Sequence, residues 1–180
     1  METQPVAADP DAARRARRAE IRREATMMVL YVSVVEIAEL AALPEAHSPG
    51  GIVTGPVGGQ LLAILWGTAI GLALAHWFAF GVAGRAARGF RPSRTEVHVG
   101  FAQLGGAAIV AALSSLPVLA LSDVRAQETT GDVPAVIIGV VGYLLARRAG
   151  GSRGRAALFG GIAVGLGIGV ALAKTALAAH

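Results

Sequence analysis

Long apolar runs alternate with short polar connections along most of this chain. The runs cover residues 25–43, 60–83, 97–121, 133–146 and 156–179, and between them lie stretches rich in glycine, proline, arginine or acidic residues. A helix rises about 1.5 Å per residue and a bilayer core is about 30 Å thick, so about twenty apolar residues suffice to cross it. The pattern therefore predicts an all-α polytopic membrane bundle of about five helices. It divides the chain into a basic, partly helical segment, 1–24, and a transmembrane bundle, 25–180. The run 133–146 is the short one: fourteen residues cover only about 21 Å as a helix. By length alone it also fits a re-entrant segment.

Charge placement decides between these readings. Fourteen of the fifteen arginines fall in three blocks, Arg14 to Arg23, Arg85 to Arg94 and Arg147 to Arg155, and the blocks stand at alternate ends of the apolar runs. Basic loops are retained in the cytoplasm. A re-entrant 133–146 would put the third block outside, so the reading keeps it as a short span with snorkelling arginines. The N-terminus is then cytoplasmic and the C-terminus external. The connections 45–59 and 122–132 read as external, the first without lysine or arginine and rich in Gly and Pro, the second carrying Asp123, Glu128 and Asp132 against Arg125.

Composition agrees, with 54% hydrophobic residues, 16% charged residues and a mean hydropathy of +0.58. A soluble domain of this size is more polar. The net charge of +4 comes from arginines flanking apolar runs, which explains it by orientation and leaves no call for a nucleic-acid partner. With no cysteine the chain has no disulfide, thiolate metal site or cysteine nucleophile. His47, His76, His98 and His180 lie in separate segments without an HExxH pair, so no metal site is read. No serine, aspartate and histidine set has a spacing that assigns nucleophile and base, and the reading is of a non-enzyme without a cofactor. The Gly165, Gly167, Gly169 run mimics a nucleotide-binding fingerprint, but no strand precedes it.

Asp9 followed by Pro10 predicts a helix start, capped by the carboxylate with proline at the first position. Arg14, Arg15, Arg17, Arg18, Arg22 and Arg23 then form an orientation signal able to meet anionic lipid headgroups, each arginine contributing about 1 kcal/mol near such a surface. A basic flank before an apolar run also fits a signal peptide. Glu36 and Glu39 inside that run argue against cleavage.

Two patterns inside the spans bear on function. In the last span Ala157, Gly161, Gly165, Gly169 and Ala173 recur every four residues, and in the second Ala63, Gly67, Gly71, Ala75, Ala79 and Ala83 do the same. Small residues at this spacing admit a neighbouring helix to backbone contact. The two stripes either pack on each other or join copies of the chain or a membrane partner. The other pattern is ionisable. Glu36 and Glu39 share a face of the first span with Ser33, Lys174 lies near the outer end of the last, and His76 lies in the inner half of the second. Charged groups in a span cost about 2.5 to 3.5 kcal/mol each at the centre and usually face protein or a water-filled cavity. Lys174 either pairs with Glu39 or snorkels outward; Glu36 is a candidate for proton exchange or cation binding, with His76 as relay or as packing residue. Ser114 and Ser115 can bond back to their helix or across it.

The stretch LWGTAIGLALAHWFAFGVAGR, Leu65 to Arg85, resembles the second helix of small uncharacterised multipass membrane proteins of high-GC bacteria. The resemblance implies residence in a bacterial inner membrane and supplies no activity. Two functions remain open on the sequence. One is a small transporter or channel component using Glu36, Glu39, His76 and Lys174; the other is a structural or accessory membrane protein that binds partner proteins or anionic lipid.

Overall fold

The computed structural model describes residues 9–44, 55–88 and 94–178, all of whose regular structure is helical. His47, His180, most of the 45–59 connection, part of the Arg85 to Arg94 block and the Lys174 side chain lie outside the described residues. The helices are α1 (Pro10–Leu40), α2 (Gly59–Arg88), α3 (Arg94–Ala120), α4 (Asp123–Thr130), α5 (Asp132–Arg148) and α6 (Arg153–Ala178). The start of α1 follows its sequence signal. Pro10 opens the helix and the Asp9 carboxylate accepts from the Asp11 backbone N–H at 2.8 Å, satisfying a donor that has no intrahelical partner. No break separates the basic segment from the apolar one. At 31 residues α1 is about 46 Å long, more than a bilayer core requires.

Four helical stretches are long and apolar enough to cross a membrane: Gly59–Val82, Glu96–Ala120, Asp123–Arg148 and Arg153–Val170. α1 is not among them, because even its last 18 residues carry Arg23, Glu24, Glu36 and Glu39. The connection 122–132 is not an irregular loop as its polarity suggested. It forms α4, and Gly131 keeps right-handed helical angles, φ −66° and ψ −26°, so that α4 leads into α5 across one residue. This extension resolves the apparent shortness of 133–146. Pro134 sits in the first turn of α5, where its missing N–H has no intrahelical acceptor to lose. Pro117 is accommodated inside α3, which continues to Ala120.

Side-chain contacts set the helix directions. Glu24 meets Gln103 and Glu36 meets Ser114, so α1 and α3 run parallel. Trp77 lies on Gly100 while Trp66 meets Ser115, so α2 runs antiparallel to α3. Tyr143 lies against Gly160 and Ile138 against Gly167, making α5 antiparallel to α6. Arg22 and Arg148 line one cleft, whereas Ile37 and Ile138 share an apolar cluster farther along, so α5 also opposes α1. These directions bring the basic ends of α1, α2, α3, α5 and α6 to one end of the bundle.

The core is built from small residues. Ala69 and Ala73 of α2 meet Ala107, Val110 and Ala111 of α3 around Met28 and Val32 of α1. Half of the apolar stretch of α3 is buried, against 22% or less in the other three, so α3 is the central helix. The outward faces are apolar too. Phe78, Leu119 and Leu158 are 71%, 73% and 65% exposed, an arrangement that water disfavours and a bilayer solvates.

Close helix approach does not use the expected stripes. Gly67, Gly71, Gly161, Gly165 and Gly169 face outward, and a Cβ added at any of them would meet no atom within 4 Å. α2 packs on α3, and α6 packs on α5 and α1; the pairing of α2 with α6 is not the one formed. The reason is one of face: in α6 the contacts come from Gly160 and Gly167, seven residues or about two turns apart, and Gly161 lies about 100° around the helix from Gly160. Accordingly, Gly165→Leu should leave the folding stability of the detergent-solubilised chain within about 0.5 kcal/mol of the parent in a thermal unfolding assay. A loss of several times that size would place the stripe inside the fold.

Candidate functional site

The polar residues of the apolar helices collect along the inner faces of α1, α2 and α3. At the basic end, Gln103 is fully buried and its Nε2 donates to Glu24 Oε2 at 3.1 Å, while its Oε1 has no partner among the described residues. Ser33 turns back on its own helix and donates to the Val29 carbonyl at 2.8 Å. One turn beyond lies Glu36, fully buried. Ser114 Oγ donates to Glu36 Oε2 at 2.6 Å, and Glu36 Oε1 is buried without a hydrogen-bond partner among the described residues. Glu39 points to a different neighbour: its Oε2 accepts from Thr68 Oγ1 of α2 at 2.6 Å.

Helix geometry explains this division. Residues three apart are separated by about 300° around the axis, so Glu36 faces α3 while Glu39 turns about 60° away, toward α2. Adjacent residues lie about 100° apart, and the neighbouring serines of α3 are divided likewise. Ser114 serves Glu36, whereas Ser115 accepts from Trp66 Nε1 at 3.1 Å and donates to the Ala111 carbonyl at 2.7 Å. Two adjacent hydroxyls thus join the central helix to two different neighbours.

The other expected participants stand apart. Trp77, next to His76, packs on Gly100, fourteen residues before Ser114 on α3; that separation is about 21 Å along the helix. His76 is not brought to Glu36. Lys174 has its backbone in α6, and its proposed pairing with Glu39 falls outside the described residues. Glu39 has Thr68 as its described partner, a contact the sequence reading missed, as it missed Gln103 with Glu24. The overlooked signal was depth: α2 and α3 carry hydroxyl or amide groups level with the carboxyls of α1.

Glu36 has no exposed surface. Four surface clefts are lined by α2 with α3, α5 with α6, α3 with α4 and α5, and α1 with α5, and Glu36 lines none of these. No group of three or more histidine, aspartate or glutamate side chains gathers among the described residues. A cation at Glu36 would meet carboxylate and hydroxyl oxygens, the donor type of hard ions. The arginines assigned to the lipid surface, Arg14, Arg15, Arg17, Arg18, Arg22 and Arg23, are all exposed. Comparison with known proteins finds no matching protein family, no matching curated protein and no matching solved structure.

Proposed function

We propose that this chain is a small five-span protein of a bacterial inner membrane, with its arginine-rich end in the cytoplasm, and that it serves as a transporter or channel component in which Glu36 exchanges a proton or a small cation. The supporting observation is the fully buried Glu36 carboxyl, which has a single hydroxyl donor and an unpartnered oxygen. An isolated buried carboxylate is costly to maintain, so the group takes up a proton or a cation. α1 supplies the fifth span: its carboxyls face α3 and α2 rather than lipid, and Leu30, Val34 and Ile37 contribute to apolar packing. Because Glu36 is fully buried, exchange requires α1 to part from α3 in the half of the bundle away from the arginines. Glu39, held by Thr68, lies a turn nearer that end as an entry-side charge, with Lys174 as a countercharge; His76 is too distant to pass a proton directly.

The test is flux in liposomes loaded with a pH-sensitive dye, comparing the parent chain with Glu36→Gln under an imposed proton or sodium gradient. The parent should dissipate the gradient and the variant should fall to the level of empty vesicles. Equal flux in both removes Glu36 from the proposal.

A second reading has its own support in the outward-facing small-residue stripes of α2 and α6, whose glycines Gly67, Gly71, Gly161, Gly165 and Gly169 have open space around them among the described residues. A structural or accessory protein uses such faces for a second copy or a membrane partner. It predicts vesicles without flux and a partner that remains bound through detergent purification.

A further inference from the structure

The basic ends of α1 and α5 enclose a cleft of about 400 Å³, lined by Ala19, Arg22, Arg23, Thr26, Met27, Leu30, Leu145 and Arg148. Its two halves differ in chemistry. Arg22 and Arg23 from α1 and Arg148 from α5 stand at one end, all exposed. Met27, Leu30 and Leu145 form the other, with Met27 44% and Leu145 37% exposed. Leu30 lies eight residues beyond Arg22, about 12 Å along the helix, so the cleft runs from the guanidinium groups down onto the apolar flank of the bundle.

The three arginines have no acidic partner among the described residues. The ion pair of Arg15 with Asp9 lies at the far end of α1. Arg22 Nε is occupied by the Arg18 carbonyl at 3.3 Å, which steadies the side chain and uses one of its five donors. Three cations drawn from two helices, above an apolar wall, match an anion joined to a hydrocarbon chain. Guanidinium binds phosphate through paired, charge-assisted hydrogen bonds, and the wall beneath accepts an acyl chain. A free phosphate or nucleotide would leave Met27, Leu30 and Leu145 without a role.

We propose that this cleft is a binding site for one anionic phospholipid, its phosphate held by Arg22, Arg23 and Arg148 and an acyl chain lying along Met27, Leu30 and Leu145. The inference makes the anionic-lipid reading specific and rests on the bundle lying in a membrane. The lipid joins α1 to α5 at the cytoplasmic surface, on the opposite side of α1 from the Gln103 contact of α3. It is distinct from the general attraction of the N-terminal arginines to a charged membrane, because Arg14, Arg17 and Arg18 do not line the cleft.

Native mass spectrometry of the full detergent-solubilised chain, titrated with phosphatidylglycerol, phosphatidylcholine or soluble glycerol phosphate, tests the site. The parent should bind one phosphatidylglycerol in preference to the other two. Arg148→Gln should weaken that binding about fivefold and Arg22→Gln/Arg23→Gln/Arg148→Gln roughly a hundredfold, at about fivefold per basic residue. The charge-matched control Arg14→Gln/Arg17→Gln/Arg18→Gln should remain near the parent. Equal losses in the two triple variants, or glycerol phosphate binding as tightly as the lipid, would overturn the site. Flotation of the parent with neutral vesicles tests membrane embedding separately: a chain that floats but shows no phosphatidylglycerol preference loses this site alone.

Discussion

Gly160→Leu should prevent α5 and α6 from docking and leave the chain unable to reach its native helix packing in detergent. A Cβ at Gly160 would sit 2.8 Å from the Gly139 carbonyl oxygen, with the Tyr143 backbone nitrogen at 3.4 Å. The first neighbour is backbone, so relief requires movement of a whole helix. Even Gly160→Ala should destabilise by about 1 to 3 kcal/mol, the usual range for overpacking a tight core. Gly106 on α3 offers an independent check, since its added Cβ would meet the Ala25 carbonyl of α1 at 2.8 Å. Thermal unfolding followed by circular dichroism measures both variants. A Gly160→Leu chain with the parent's unfolding midpoint would show that α6 does not lie where Gly139 places it. The contrast with Gly165→Leu, one turn and a different face away, separates crowding from the general effect of losing a glycine.

Ser114→Ala should have the next largest effect, through the buried group it leaves behind. Glu36 Oε2 would lose its hydroxyl donor at 2.6 Å, and both carboxyl oxygens would then lack a partner among the described residues. An unsatisfied buried polar group costs about 1 to 3 kcal/mol, more when charged, and the deleted hydroxyl itself leaves little volume to collapse. Replacing both members removes that penalty, so Ser114→Ala/Glu36→Leu should be more stable than Ser114→Ala alone. Additive effects in this double-mutant cycle would show that the two side chains do not interact. Activity should move the other way: the doubly substituted chain folds but carries no proton or cation, since its exchanging group is gone. Stability and flux are thus expected to separate at this one position.

The helical class, the approximate ends of the helices and the gathering of arginines at one end were legible in the sequence because each depends on local pattern. Apolar run length, proline placement and charge at span ends act on a segment in its bilayer without reference to its neighbours. The capped start at Asp9 and Pro10 is a case of this kind, since it needs only consecutive residues. The site was partly legible for the same reason. Glu36 stands out as an acid in an apolar run, but nothing local says that Ser114, seventy-eight positions later, would meet it.

Tertiary structure decided the remainder. It chose Gly160 and Gly167 over the more regular stripe through Gly161, Gly165 and Gly169, because only the faces already turned toward α5 and α1 can be packed. It divided Glu36 from Glu39 by sending them to different helices, and it separated His76 from Glu36 by about 21 Å of helix length. It also brought Arg148 beside Arg22 and Arg23. The sequence by itself determined what each helix is and which end is basic, since those follow from residue type and spacing along one axis. Which faces meet, and hence which polar groups find partners and which remain alone, depends on the rotation of each helix about that axis, and only packing against the other helices determines it.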